Sequence, residues 1–159
     1  MKTYATRIDL PPAARSKLVT LLNRQLADLV DLFTQIKQAH WNVKGMHFIA
    51  LHELFDKLAE EAEDYVDDVA ERATALGGVA IGTARAAAGA SHLPEFPLGG
   101  VAGKAAVEAL VERYALLAAS TRKAIETAAV LGDADTSDLF TGVSRGLDKS
   151  LWFLEAHLQ

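Results

Sequence analysis

The chain has 159 residues, of which 50% are hydrophobic and 23% charged, a composition typical of one folded domain and not of a disordered segment. Sixteen Lys and Arg residues against 21 Asp and Glu residues give a formal net charge of −5, which argues against a surface built mainly to hold nucleic acid. There is no cysteine, so disulfides, thiolate metal sites, iron–sulfur clusters and cysteine nucleophiles are excluded.

The amino-terminal segment does not resemble a signal peptide. MKTYATRIDLPPAARS lacks the apolar core of a signal peptide, and no run of about 18 apolar residues occurs anywhere in the chain. We therefore expect a cytoplasmic protein with no membrane partner. Residues 1–159 are interpreted as a single domain, with residues 1–11 as a flexible amino-terminal tail.

Four long helices are predicted, because proline and glycine are few and clustered between stretches rich in good helix formers. Each stretch repeats apolar residues at helical spacing. The predicted helices run from Pro12 to about Val43, from His47 to Leu76, from Lys104 to Leu131, and from Asp135 or Thr136 to about His157. Glycines follow the first three of these segments, and either Asp135 or Thr136 could cap the last one.

The lengths of the connections predict how the helices are arranged. Two short connections make antiparallel neighbours, whereas the long segment between about Val79 and Gly103 must cross the length of a bundle. The crossover reads GTARAAAG at residues 82–89, which could hold a short helix. The sequence therefore predicts an all-α, ferritin-like four-helix bundle with a long crossover that holds a short helix between helices two and three.

The second predicted helix carries side chains that could bind a metal ion. His52 and Asp56 are four residues apart, and so are Asp67 and Glu71, so each pair spans one turn on one face. At about 100° per residue, all four fall within an arc of about 100° beside the apolar stripe. The alternative is a solvated face, because the segment EEAEDYVDD is strongly acidic and Glu60 and Glu63 fall in the same arc.

Spacing along this helix suggests a symmetric dimer. From His52 to Glu71 is about 28 Å at 1.5 Å per residue, so one metal ion cannot contact both ends. A second copy of the helix, antiparallel across a two-fold axis near residues 61 and 62, would place His52 and Asp56 of one chain opposite Glu71 and Asp67 of the other. Such a dimer has two equivalent sites. One imidazole with several carboxylates suits iron, manganese or zinc better than calcium.

Several segments together resemble one known family. The chain reads HWNVKGMHFIALHELFD at 40–56 and DDVAERATALGG at 67–78, with LLNRQLADLVDLFTQIKQAHWNVKG at 21–45 and RGLDKSLWFLE at 145–155. These segments resemble the Dps proteins (DNA-binding proteins from starved cells), also called miniferritins. None of the five histidines has Glu three residues before it, which argues against a di-iron site inside one bundle.

The resemblance implies a function and a site. Dps proteins form shells of twelve subunits, oxidise Fe(II) with hydrogen peroxide in preference to dioxygen, and store the ferric mineral, which protects the cell against oxidative stress. The resemblance implies a di-iron centre between subunits, with His40, His52 and Asp56 from one subunit and Asp67 and Glu71 from its two-fold partner. Asp56 and Glu71 would be the main ligands and His52 the nitrogen ligand, while His40 and Asp67 would complete a weaker second position. The resemblance further implies acidic iron pores, for which Asp135 and Asp138 are the candidates, unless they only cap the helix and compensate its dipole. Trp41 and Trp152 are candidate electron donors, and the alternative for each is packing in the core or at an interface.

DNA binding is the alternative function. Dps proteins that bind DNA generally use a mobile lysine-rich tail, whereas here only Lys2, Arg7, Arg15 and Lys17 precede the interior of the first helix. Twelve chains of formal charge −5 would together carry −60, which repels phosphate. A protein that compacts DNA in the nucleoid, with a secondary metal site, is therefore the second hypothesis. An acidic helix that only mediates dimerisation is the third.

Overall fold

The computed structural model describes residues 3–99 and 102–159, and within them it contains five helices and one isolated parallel bridge between Lys44 and Ala102. The helices are α1 (Pro12–Asn42), α2 (Phe48–Ala75), α3 (Ala84–Ala90), α4 (Gly103–Val130) and α5 (Ala134–Glu155). The four long helices begin and end within two residues of the predicted bounds, and α3 is the short helix predicted in the crossover. The all-α, ferritin-like bundle is confirmed. Lys2, one of the basic residues of the predicted tail, lies outside the described residues.

The bundle consists of two helix pairs. α1 packs along α2, α4 packs along α5, and the pairs meet through contacts of α1 with α4 and of α2 with α5. The core is formed by the apolar stripes that the spacing predicted, and its largest fully buried side chains include Leu22, Ile36, Phe55, Tyr114 and Phe140. Among the described residues, no helix is both long enough and apolar enough to span a membrane.

Glycine and aspartate define the helix ends. Gly77 and Gly132 each have φ of +81°, a conformation that ends α2 and α4 at little steric cost. The prediction that Asp135 or Thr136 caps α5 is wrong, because Asp133 is the N-cap residue. Its extended backbone lets the side chain accept a hydrogen bond from the backbone N–H of Thr136, whereas residues 135 and 136 already lie inside the first turn.

The crossover is fastened to α1 by buried polar side chains. The Asn23 amide donates to the carbonyl of Val79 at 3.0 Å and accepts from the N–H of Ile81 at 2.7 Å. Farther along α1, the Asp28 carboxylate accepts from the N–H of His92, and the Gln35 amide donates to the carbonyl of Pro94. These bonds hold the crossover against the bundle.

The described part of the amino-terminal tail lies against the end of α2. The N–H of Tyr4 donates to the carbonyl of Gly77 at 2.7 Å, and Ile8 and Leu10 pack against the core. Arg15 donates to the carbonyls of Leu10 and Leu76, which ties the tail to the first turn of α1 and to the end of α2.

Candidate metal centre

Two histidines form the centre of the candidate site, where the end of α1 meets the beginning of α2. The His40 ring Nδ1 lies 2.8 Å from the carbonyl oxygen of His52, and the His52 ring Nδ1 lies 2.9 Å from the carbonyl oxygen of His40. The two rings stack with centroids 3.8 Å apart and an interplanar angle of 20°. The carbonyl of His40 lies in the last turn of α1, where helical carbonyls lack an intrahelical partner.

This reciprocal arrangement fixes the tautomer of both rings. A carbonyl oxygen can only accept, so each Nδ1 must carry the proton and donate it. In the neutral imidazole, Nε2 then keeps the lone pair that a metal ion needs. Backbone carbonyls that orient histidine in this way are common partners of metal-binding imidazoles. The two side chains are thus set for nitrogen ligation through Nε2.

Asp56 completes this group, one turn after His52 on α2. One of its carboxylate oxygens lies 3.8 Å from Nε2 of His40 and accepts a hydrogen bond from the Lys37 ammonium at 2.7 Å. That hydrogen bond, together with the charge of Lys37, holds the pKa of the Asp56 carboxyl below its ordinary value. Asp56 is therefore an ionised carboxylate beside two imidazoles, chemically suited to act as an oxygen ligand.

Asp67 and Glu71 lie far from this group on the same helix. Both side chains are exposed, and Glu71 is about 28 Å along α2 from His52. In residues 3–99 and 102–159, no three His, Asp or Glu side chains come together closely enough to hold a metal ion. Within one subunit, the predicted ligands therefore form two separate groups: His40, His52 and Asp56 at one end of α2, and Asp67 and Glu71 toward the other.

The Glu71 end opens into a polar cleft between α2 and α5. The cleft is lined by Asp68, Glu71, Arg72, Thr74, Ala75, Asp135 and Leu139, so it brings a predicted iron ligand and a predicted pore residue to one surface. Asp135 is exposed and lies 3.8 Å from the Arg72 guanidinium. Asp138, the other candidate pore residue, is also exposed, in the first turns of α5.

Arg72, which lines this cleft, forms an ion pair with the buried Asp133. One Arg72 nitrogen donates to both carboxylate oxygens of Asp133, at 2.8 and 2.9 Å, and Thr136 donates its N–H and its hydroxyl to the same carboxylate. Burial of Asp133 is the largest single influence and opposes ionisation. The hydrogen bonds from Thr136 and Arg72 outweigh it together and lower the pKa of Asp133.

The two tryptophans are exposed, so neither belongs to the core of the subunit. Trp41 is 63% exposed and lies beside the site, with the Lys37 ammonium 6.0 Å from its ring centroid. Trp152 is 62% exposed near the end of α5 and contacts the Phe153 ring. Glu60 and Glu63 of the acidic run are exposed, as a solvated face requires.

Lys37, Arg72 and Asp133 were not predicted from the sequence as part of these sites. Lys37 precedes His40 by three residues, a spacing that places both on one face of α1 and could have identified it. Arg72 and Asp133 are 61 residues apart, and no local pattern links them.

The chain resembles known proteins over its whole length. The family model for the Ferritin-like domain matches residues 19–159. The "DNA protection during starvation protein" of Agrobacterium fabrum is 45% identical over 159 residues, which cover 100% of this chain and 98% of that protein. The "DNA protection during starvation protein 2" of Bacillus anthracis is 36% identical over 142 residues, or 89% of this chain and 97% of that protein.

Solved structures agree with these relatives. DpsC from Streptomyces coelicolor has a TM-score of 0.95 at 32% identity and matches 99% of this chain and 92% of that chain. Dps from Mycobacterium smegmatis has a TM-score of 0.94 at 34% identity, with 99% of this chain and 94% of that chain covered. The chain therefore belongs to the ferritin-like family and, within it, to the Dps proteins.

Proposed function

We propose that this protein is a ferroxidase and an iron-storage shell. In this proposal it oxidises Fe(II), preferably with hydrogen peroxide, between two-fold-related subunits and stores the ferric mineral inside a dodecamer. The observation that carries the proposal is the reciprocal pairing of His40 and His52, which leaves the Nε2 lone pair of both rings available, with that of His40 3.8 Å from the ionised Asp56 carboxylate. Fe(II) is the substrate of this site and not a resident cofactor.

The two groups of predicted ligands support a site shared between subunits. The midpoint of α2 between His52 and Glu71 is also the midpoint between Asp56 and Asp67, and both groups contain accessible side chains. An antiparallel α2 pair therefore adds the two exposed carboxylates of one subunit to the imidazoles of the other, twice per dimer. Each site would then have three carboxylates and two imidazoles, enough for two iron ions.

The chemistry follows from this ligand set. Hydrogen peroxide takes two electrons, so two Fe(II) ions and two protons convert one peroxide molecule into two molecules of water and leave two Fe(III) ions. Asp56 and the partner's Glu71 would neutralise the growing positive charge as hard oxygen ligands. His52 would supply nitrogen, while His40 and the partner's Asp67 would hold the second ion.

The cleft between α2 and α5 suggests how iron reaches this site. Asp135 and Glu71 line it together, so an ion attracted by the exposed carboxylates of α5 would arrive beside a ligand. We expect Asp138→Asn to slow iron uptake while the number of Fe(II) ions oxidised per peroxide stays the same. An unchanged uptake rate would remove Asp138 from the pore.

Stopped-flow absorbance tests the activity directly. Fe(II) is added without oxygen to the metal-free protein, and hydrogen peroxide follows. We expect rapid oxidation of about two Fe(II) per peroxide, which the double variant His52→Ala/Asp56→Ala should lose. His47→Ala/Asp64→Ala is the matched control, because it removes one histidine and one aspartate that are exposed on the same segment. Oxidation no faster than in buffer would refute the proposal.

DNA binding is the second candidate, and the names of the relatives favour it. The contact of Tyr4 with Gly77 and the packing of Ile8 and Leu10 hold the described part of the tail against the bundle, where it is poorly placed to reach a duplex. A gel shift at low salt, with and without residues 1–10, decides the matter. Tight retention that depends on the tail would support direct binding.

A further inference from the structure

A polar cluster inside the bundle has no part in the proposed metal site. The Tyr65 hydroxyl of α2 donates to one carboxylate oxygen of Glu61 at 2.9 Å, and the Ser150 hydroxyl of α5 donates to the other at 2.6 Å. Ser150 is buried, while Glu61 and Tyr65 are partly buried. Both oxygens of Glu61 therefore accept a hydrogen bond from a hydroxyl group.

The backbone of α5 makes room for the phenol. A Cβ atom at Gly146 would lie only 1.7 Å from the Tyr65 hydroxyl oxygen and 3.0 Å from a Glu61 oxygen, so only glycine is compatible with this position of the ring. Tyr114 of α4 lies nearby and is 1% exposed. Because the Tyr65 hydroxyl donates to the Glu61 carboxylate, this phenol carries its own proton.

A phenol that already donates to a carboxylate can lose an electron and a proton together. Proton transfer needs heavy atoms within about 2.6–3.2 Å, and the bond from Tyr65 to Glu61 satisfies this before any movement. We infer that Tyr65 and Glu61 form a redox-active pair, in which Tyr65 is oxidised to a neutral phenoxyl radical while Glu61 accepts its proton.

The oxidant is the hydroxyl radical that arises when one Fe(II), without a second beside it, reduces hydrogen peroxide. Tyr65 gives one electron to this radical, which becomes hydroxide, and the hydroxyl proton of Tyr65 passes to the Glu61 carboxylate. The O–H bond of Tyr65 breaks and an O–H bond forms on Glu61. The pair would thus remove a damaging radical inside the protein. This activity rests on the proposed ferroxidase function, because the iron chemistry of that function supplies the hydroxyl radical.

The position of Tyr65 on α2 suits this role. It precedes Asp67 by two residues, about 3 Å along the helix axis, and follows Asp56 by nine, about 14 Å. In the proposed dimer, Asp67 lies beside the partner's Asp56, so Tyr65 would sit at the level of a metal site, on the face turned toward α5. Because Tyr65 and the proposed metal site lie on different faces of α2, the phenol would not compete with the carboxylates and imidazoles for the metal ion.

Photo-oxidation tests the pair without iron. The metal-free protein is flashed with tris-bipyridyl ruthenium and persulfate, frozen and measured by electron paramagnetic resonance. Ring-deuterated tyrosine, which narrows only a tyrosyl signal, identifies the radical. We expect Tyr65→Phe to remove most of this signal, whereas Tyr4→Phe and Tyr114→Phe, which replace the only other tyrosines, leave it. Equal signals from Tyr65→Phe and the unaltered protein would overturn the inference.

A second variant separates the chemistry from the packing. Glu61→Gln keeps an acceptor oxygen for Tyr65, so the fold and its circular dichroism spectrum should be unchanged. The glutamine side chain cannot accept the phenol proton. The yield of the Tyr65 radical should fall about tenfold or more, because the proton acceptor is gone. A yield equal to that of the unaltered protein would show that Glu61 is only a structural partner and would overturn the pairing.

The iron-loaded protein tests the source of the oxidant. With Fe(II) and peroxide, Tyr65→Phe should release more spin-trapped hydroxyl radical while the rate of Fe(II) oxidation stays unchanged. No increase at a normal oxidation rate would overturn the scavenging role. The protein could oxidise no iron and still yield the Tyr65 radical in the flash experiment. In that case the ferroxidase proposal fails and so does the iron-dependent source of hydroxyl radical, whereas the redox-active pair stands.

Discussion

Lys37 shows what one side chain can do to a metal site. Its ammonium donates to the Asp56 oxygen that faces His40, so a metal ion that binds His40 and this oxygen competes with the ammonium for it. The neighbouring Trp41 ring gives the released ammonium a second favourable contact, because a cation is attracted to the face of an indole. Lys37 is thus a competitor of the metal for Asp56.

Replacement of Lys37 by glutamine should therefore strengthen metal binding. We expect a gain of less than about tenfold, since the ion pair is partly exposed and screened by solvent. Titration calorimetry with Co(II), which does not oxidise during the experiment, measures the change. Lys57→Gln removes an equal charge from an exposed position beside Asp56 in sequence and should have little effect. A weaker affinity in Lys37→Gln would mean that the lysine assists binding.

The ion pair of Asp133 with Arg72 should stabilise the fold in a pH-dependent manner. Asp133→Asn keeps the helix cap but leaves the guanidinium without its carboxylate, which costs about 2–3 kcal/mol in the free energy of unfolding at pH 7. Because folding lowers the pKa of Asp133, its contribution is complete above the ordinary value of 3.8 and is lost as the pH falls through the lower, folded value.

Urea unfolding at neutral pH and well below pH 3.8 measures the contribution of this ion pair to the free energy of unfolding. The difference between the unaltered protein and Asp133→Asn should be largest at neutral pH and should shrink well below pH 3.8. Asp135→Asn is the control, because Asp135 is exposed and lies at the longer distance of 3.8 Å from Arg72. A difference that does not depend on pH would assign the effect to packing and not to charge.

At the scale of helices, the sequence predicted where the helices begin and end better than it predicted the course of the crossover between them. Pro12, Gly77 and Gly132 mark helix ends through backbone geometry that only a few residue types adopt, so they can be read locally. The course of the crossover depends on bonds from α1 side chains to backbone groups 56 to 64 residues away, and these leave no periodic signal. For the same reason, spacing predicted His52 and Asp56 on one face but not the reciprocal bonds to His40.

Asn23 should be the most important of these crossover residues. Asn23→Ala leaves the carbonyl of Val79 and the N–H of Ile81 without their partners, and we expect a loss of about 2–3 kcal/mol in the free energy of unfolding. Hydrogen exchange should also accelerate at residue 81. Asn42→Ala on the same helix loses only a local bond to Gln38 and should change little. Equal stability of the two variants would contradict this account of the crossover.

At the scale of the assembly, the separation of the ligand groups allows subunits to complement each other. His52→Ala/Asp56→Ala and Asp67→Ala/Glu71→Ala should each be inactive alone. A dimer of one copy of each contains one site with all its ligands and one site without any of the four. Subunits unfolded together and refolded in equal amounts should therefore recover about a quarter of the unaltered oxidation rate.

Size-exclusion chromatography with light scattering must first establish that the mixed protein assembles like the unaltered one. Two separately refolded variants, mixed only afterwards, are the control and should stay inactive. Absence of any recovery in a properly assembled mixture would exclude a site shared across the two-fold axis. A site inside one subunit predicts that result, because neither variant then supplies a complete set of ligands.

The stacked pair of His40 and His52 also has a consequence for metal selectivity. Two imidazole nitrogens held ready by backbone carbonyls favour metals late in the divalent series, so this half of the site should prefer zinc to ferrous iron at equal concentration. Zinc cannot be oxidised, and it would remain where iron turns over. If the protein oxidises Fe(II) as proposed, discrimination between the two metals would come from redox turnover and not from affinity, and excess zinc would then slow Fe(II) oxidation.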